Sequence, residues 1–486
     1  MKALLPPERR DKPPFRWSNL GALLESRNDR LAKWLGDPSP DQRQLWLRDW
    51  YGGRQPDLRV DRSELSEPSF LLLGDTGEGD ASQYALLAQL AQLGRDTDFM
   101  VICSDVIYPA GEVEEYEHKF FHPYRDYAGP IYALPGNHDW YDDLRGFMFH
   151  FCGRDRQPQR PKPSLFSRAR LRERLWNRNP RPPDPARVAR MRALRSRPEQ
   201  QVNLPGPYYV VETGPIELVA IDTGIVSGID VAQGEWLRRV SRSPKPKILL
   251  TGGPIYVDAQ HRPCEIGGGG TVDAIVRDPN CNYIAAIGGD IHNYQRYTVD
   301  VDGRLLQYIV SGGGGAFMHA THKIPNIDAS ELPGVRESDF RCYPLRGDSL
   351  SFYSLLYDRQ FPGAWAIDPY QAAAYMAERL GIEATKDDAK GVLVSDETRR
   401  RARRVFPLPG RGRGALHAWF SEFFDWNEPP LFKNVLRIDV TAERLTIECH
   451  AATGCVDDHL RKPEDRLVCE RRADGGWQWQ DDASGA

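Results

Sequence analysis

One pattern constrains this chain more than any other: a short apolar run, an abrupt turn, then a side chain able to bind a cation. It first appears in LLLGDTGEGD, Leu71–Asp80. Leu71, Leu72 and Leu73 read as a fully buried strand. Gly74 breaks it and delivers Asp75 at the carboxyl end, the edge where open α/β sheets bind ligands. Phe99–Cys103 ends in Ser104-Asp105, and Ile131–Leu134 runs through Pro135-Gly136 into Asn137-His138-Asp139. Ile216–Ile221 ends in Asp222-Thr223, Ile248–Leu250 in Thr251-Gly252-Gly253-Pro254, and Tyr283–Ile287 in Gly288-Gly289-Asp290-Ile291-His292. Between these runs, Ser82–Leu93 (with Gly94 as a stop), Glu112–Phe121 and Gln233–Arg242 carry apolar residues at helical spacing. Such alternation predicts an α/β sheet.

The rest of the chain is organised around that core. Residues 1–67, rich in Pro, Arg and Trp, read as a segment wrapping the core edge, with helices expected over Leu20–Leu35 and Pro38–Tyr51. The core covers residues 68–316. An Arg/Pro-rich insertion at about 154–200 interrupts it and reads as a partly helical surface flap. Tyr208–Glu212 resumes the strand pattern, and Tyr297–Val310 reads as a hairpin around Asp302-Gly303. SGGGGAF, Ser311–Phe317, is a turn whose backbone passes close to something. Residues 317–430 form a second excursion with a helix at Gln371–Leu380 and a basic ETRRRARR cluster. In 431–486, Val435–Val440 and Leu445–Ala451 read as antiparallel strands returning to the core, followed by a polar tail with no assigned element.

Composition narrows the function. At 40% hydrophobic, the chain buries a sizeable core, and a net charge of −4 does not mark it as a nucleic-acid or membrane binder. No apolar run approaches the roughly 20 residues of a transmembrane helix. The start shows no secretory h-region. Eight cysteines without CxxC pairing fit reduced thiols and a cytoplasmic location.

The strand ends collect Asp75, Asp105 with Tyr108, Asn137-His138-Asp139, and Asp290 with His292. Oxygen and imidazole donors of this kind suit Zn, Fe or Mn. Carboxylates crowded in a crevice repel, and a cation between them removes that cost. In order and spacing, GDTG at Gly74–Gly77, SDVIY with Asp105 and Tyr108, GNHD at Gly136–Asp139 and GDIHNYQR at Gly289–Arg296 resemble the calcineurin-like metallophosphoesterases, most of all their purple acid phosphatase branch.

The resemblance implies a four-layer αββα sandwich of two mixed sheets. It implies a first metal on Asp75, Asp105, Tyr108 and His292, with a Tyr108 phenolate suited to Fe(III). Asp105 would bridge to a second metal on Asn137, and this second site is degraded. The family's His of an HxP motif falls at Gly252, and the first His of GHxH is Asp290, which suits a harder cation such as Mg or Mn. His261, nine residues past Gly252, is a candidate replacement. His138 would sit beside the leaving-group oxygen, with Asp139 orienting it or holding its protonated form. Asn293 and Arg296 are candidates for positioning phosphate. His319 and His322 are candidates for substrate-side, structural or further ligand roles, and Asp222-Thr223 for a supporting one.

The expected function is metal-dependent hydrolysis of a phosphate mono- or diester by a metal-activated hydroxide. The alternative is a catalytically impaired ligand-binding or regulatory protein on the same scaffold. A phosphorylated small molecule or other phosphoester is the expected partner. The Arg-rich insertion adds an anionic polymer or membrane surface, and no obligate protein partner is evident.

Overall fold

Strands form where the apolar runs stand. The computed structural model describes residues 17, 19–26, 32, 34, 38–54, 56–158, 182–383, 389–405, 428–455 and 462–480. In chain order the strands are β1 (Arg59–Arg62), β2 (Ser69–Leu73), β3 (Phe99–Ile102), β4 (Ile131–Ala133), β5 (Tyr209–Thr213), β6 (Glu217–Ile221), β7 (Lys247–Thr251), β8 (Tyr256–Val257) and β9 (Gln260–His261). They continue with β10 (Tyr283–Gly288), β11 (Tyr294–Val301), β12 (Arg304–Ser311), β13 (Phe340–Tyr343), β14 (Lys433–Val440), β15 (Arg444–Ala452), β16 (Asp465–Arg471) and β17 (Trp477–Trp479).

They build an eight-stranded sheet, β1-β5-β6-β7-β10-β12-β11-β13, and a seven-stranded sheet, β17-β16-β15-β14-β2-β3-β4. Both are mixed. β6, β7, β10 and β12 run parallel, as do β2, β3 and β4, and antiparallel strands extend the edges. The parallel strands are apolar along their whole length because they are covered on both faces: Leu71, Leu72 and Leu73 are fully buried, as are Leu218, Ile248 and Ile287. The two sheets share one hydrophobic core. Across it, the Tyr209 hydroxyl donates to the Ala133 carbonyl at 2.7 Å and the Trp479 indole to the Ile284 carbonyl at 3.0 Å. The fold is a mixed α/β sandwich of two large mixed sheets, as expected.

Several expectations changed in detail. The helix expected over Ser82–Leu93 is two short ones, Ala81–Tyr84 and Leu87–Leu93, the first capped by Asp80. Glu112–Phe121 is a tight turn at Val113–Glu115 followed by a wide one at Glu117–Phe121. Of the expected Leu20–Leu35 helix, Leu20–Ser26 is described, and most of the remainder lies outside the described residues. The Pro38–Tyr51 helix starts at Gln42 and stops at Gly52, whose φ of 59° permits the left-handed cap. β1, from the segment before residue 68, pairs with β5 and so belongs to the sheet. The hairpin turns through Asp302 and Gly303 at φ 53° and 82°. The polar tail is not free of structure: β16 and β17 extend the second sheet.

In the second excursion, helices Arg346–Gln360, Pro369–Leu380 and Asp396–Val405 pack around a small core of their own, while β13 joins the first sheet. In the Arg-rich insertion the helix Pro185–Ala193 is described, and residues 159–181 lie outside the described residues. Among the described residues, no helix is long and apolar enough to cross a membrane. All eight cysteines are free thiols.

Candidate metal centre

Three acids at the ends of central strands share an unusual backbone. Asp75 follows β2 at φ 58°, Asp105 follows β3 at φ 32°, and Asp290 follows β10 at φ 67°. Few non-glycine residues adopt positive φ, and such conformations concentrate where function requires them. The turns lock to one another: Asp75 N–H donates to Ser104 O at 3.0 Å, and Asp290 N–H to the Asp75 carboxylate at 3.1 Å. The glycine-rich turn after β12 threads against the first of them, with Gly314 N–H on Gly74 O at 2.9 Å and Ala316 N–H on Asp75 O at 2.8 Å. A Cβ at Gly314 would stand 2.3 Å from that carbonyl, so only glycine passes there.

Within this frame the Tyr108 hydroxyl lies 3.2 Å from Asp75 Oδ1 and 3.1 Å from His292 Nε2. His292 is fixed from its other ring nitrogen, which donates to Phe317 O at 2.7 Å. That bond leaves Nε2 as the acceptor, the tautomer a metal ligand needs. The three groups are buried. Burial, then Asp105 and Asp290, pushes the Asp75 carboxyl well above its usual range. Burial and the surrounding carboxylates also hold the Tyr108 phenol protonated, and burial keeps His292 neutral.

The residues fit a cation. Asp75 Oδ2 is buried with no hydrogen-bond partner. A Cβ at Gly289 or Gly312 would come within 2.8 or 2.5 Å of that oxygen, so glycine at both positions keeps space around it. Among the described residues, no group of three or more His, Cys, Asp or Glu side chains stands in ready-made coordination geometry.

Asp105 Oδ1 accepts the His138 N–H at 2.8 Å and packs on Gly136, where a Cβ would stand 2.1 Å away. Asn137, Asp290, Gly252, Ser104, Thr223 and Ser227 line one small pocket beside it. Gly252 brings no side chain to it. His261 does not compensate: its Nε2 is 2.8 Å from Asp273, and Arg277 binds the same carboxylate at 2.7 Å.

His138 Nδ1–H donates to Pro109 O at 2.8 Å. Asp139 and His138 interact through charge, and Asp139 has further partners. Its carboxylate accepts from Val106 N–H at 2.9 Å and Gly136 N–H at 3.0 Å, so it ties the Asp105 loop to the Asn137 loop. Arg296 is held by Asp465 at 2.6 Å, and Asn293 lies between the His319 carbonyl at 3.2 Å and Gln295 at 3.0 Å. Both side chains brace β11 and the turn before it. His319 accepts the His292 N–H at 3.0 Å and stacks on its ring, while His322 turns to Ser349 at 2.9 Å. Asp222 is buried against Trp140 at 2.9 Å and Gly224 N–H at 2.8 Å, with Arg43 3.6 Å away.

Two neighbours of the centre were missed in the sequence. Trp17, from the N-terminal segment, packs edge-on against Tyr108 and His138. Ser104 Oγ is buried in the pocket wall with no hydrogen-bond partner. Ser104 adjoins a strand-end acid and was legible as a lining residue. Nothing local to Trp17 signals its contact.

A family model described as calcineurin-like phosphoesterase matches residues 68–294. No curated protein matches the chain. Among solved structures, a purple acid phosphatase from yellow lupin (Lupinus luteus) seeds is similar at 11% identity and a TM-score of 0.43, over 85% of this chain and 55% of that one. This chain therefore spans little more than half the length of the lupin protein. PhoD is similar at 10% identity and a TM-score of 0.37, over 88% and 73%. GAP50, the anchor in the inner membrane complex of Plasmodium, is similar at 12% identity and a TM-score of 0.33, over 52% and 74%. Residues 68–294 are therefore similar to the calcineurin-like phosphoesterases, the family whose model they match.

Proposed function

We propose that the protein is a cytoplasmic metal-dependent phosphoesterase whose centre uses Asp75, Asp105, Tyr108 and His292 for a first cation, Fe, Zn or Mn, and Asn137 and Asp290 toward a second. The observation that carries the reading is the convergence of Asp75, Tyr108 and His292 on one buried point, with an Asp75 oxygen left unpartnered. The first position mixes oxygen with imidazole. The second is lined by oxygen donors alone, which favours Mg or Mn there.

A bound cation supplies Lewis acidity, lowering the pKa of its water and offsetting phosphate charge. The chain's own residues do the rest. Asp105 positions His138 through its backbone N–H, and Pro109 O fixes Nδ1 as a donor. Nε2 therefore carries a proton only in the imidazolium form, and that form donates to the departing oxygen. Asp139 keeps the two loops in register. His138→Ala should therefore lose most activity on esters with poor leaving groups.

The test is hydrolysis of phosphate mono- and diesters by the purified chain with Fe, Zn, Mn or Mg. Wild type far above Asp105→Ala is expected, and equality of the two under every metal defeats the reading. Gly252 favours a second reading, a binding protein that keeps the scaffold without turnover. Two metal equivalents per chain support the enzyme, and none supports the binding protein. For the Arg-rich insertion, described arginines have internal partners: Arg187 pairs with Glu117 at 2.7 Å, and Arg195 donates to the carbonyls of Tyr127 and Gly129. A role in binding an anionic polymer or membrane then falls to the remaining arginines. Deleting residues 156–198 would flatten the salt dependence of such binding.

A further inference from the structure

Trp17 lies far from the matched domain in sequence and against its centre in space. Its indole is 6% exposed. Nε1–H donates to Glu78 Oε1 at 2.8 Å, and Glu78 stands on the loop that begins with Asp75. The rest of the indole meets three rings edge-on: Tyr108 at 5.8 Å between centroids, His138 at 5.4 Å and Phe317 at 6.2 Å. With Tyr108, Ala316 and Phe317 it forms a separate apolar cluster, apart from the large core between the sheets. The hydrogen bond to Glu78 sets the direction of the indole, which makes a T-shaped contact with the His138 ring.

His138 needs such support. It sits on Asn137–Trp140, a helix of four residues. A hydrogen bond to Pro109 O fixes its Nδ1. Three aromatic rings also pack against it: Tyr108 at 4.5 Å, Tyr141 at 5.2 Å and Trp17 at 5.4 Å. Tyr108 and Tyr141 come from the domain itself. Trp17 comes from outside it, so the domain's proton donor is completed by the N-terminal segment. We propose that Trp17, latched by Glu78, is a positioning residue that holds the His138 imidazole toward the leaving-group oxygen. The inference rests on the leaving-group role given to His138 above.

Two measurements on the full-length chain test it. The first uses metal-free protein and needs no activity: carbethoxylation of His138 by diethyl pyrocarbonate, followed by mass spectrometry of the peptide that carries it. Trp17→Ala should label several-fold faster than wild type, and Trp17→Phe, which restores a ring, should label near the wild-type rate. Equal rates in all three overturn the proposal. Trp17→Leu replaces Trp17→Ala should the latter not fold, as judged by circular dichroism.

The second measurement compares esters. Proton donation matters most for poor leaving groups, so Trp17→Ala should lower kcat on an alkyl phosphate by about 10²-fold and on p-nitrophenyl phosphate by no more than about 3-fold, with KM little changed. A uniform loss on both esters overturns the proposal in favour of a purely structural tryptophan. If the wild-type chain hydrolyses no ester under any metal, the function proposed above fails, and the labelling rates still decide whether Trp17 restrains His138.

Discussion

Asp222 ends β6 fully buried, and burial pushes its carboxyl up to about 6 despite Arg43, the Gly224 N–H and Trp140. An acid whose folded pKa lies above its unfolded value is easier to protonate when folded. Stability is therefore greatest below the unfolded pKa and falls as pH rises toward the folded one, here by about 3 kcal/mol. Asp222→Asn removes the titration. Its stability relative to wild type should rise by about that amount between pH 4 and pH 6.5, read from urea midpoints at each pH. An unchanged difference would show that Asp222 is not buried as described. At the same scale, Tyr108 gives an optical signature. An Fe(III)-loaded wild type should show a visible phenolate-to-iron band, and Tyr108→Phe should not. Candidate ligands such as Asp75, Asp105 and His292 were legible because each stands within a few residues of the end of a strand-like run. Arg296 was a candidate on sequence proximity alone. Its partner, Asp465, lies 169 residues further on, beyond the reach of any local pattern.

The element packed most tightly on the Asp75 loop is the glycine-rich turn after β12. Gly312 leaves room at the Asp75 oxygen, Gly313 packs where a Cβ would stand 1.8 Å from Asn434 Oδ1, and Gly314 where one would stand 2.3 Å from Gly74 O. These neighbours belong to two different stretches of chain, so the turn fastens the β2 loop to β14. Gly314→Ala forces backbone apart and should cost at least about 3 kcal/mol, seen as a fall in melting temperature or loss of soluble protein. A melting temperature within a degree of wild type would contradict the close approach. SGGGGAF announced that something lies near, but not what. Periodicity likewise showed strands and helices but missed the break between Ala81–Tyr84 and Leu87–Leu93, where Asp80 caps the first turn. The same limit hid β16 and β17, whose short polar sequences become strands only because β15 offers an edge to pair with.

At the scale of the whole molecule, segments outside the matched domain complete it. The N-terminal segment contributes β1 and Trp17, and the C-terminal one adds four strands to the sheet that carries Asp75 and Asp105. Removing residues 431–486 should therefore abolish folding of the domain rather than trim it, with loss of cooperative unfolding as the readout. A stable, cooperatively unfolding remnant would contradict that dependence. The two sheets exist to bring distant acids, a phenol and an imidazole to one buried point, and crowded carboxylates there call for a cation. The most direct test is metal content per chain after equilibrium dialysis against Fe, Zn and Mn. Wild type should retain at least one equivalent of one of them, and Asp75→Ala should retain none. A wild type that retains no metal, or a variant that retains as much as wild type, would contradict the account.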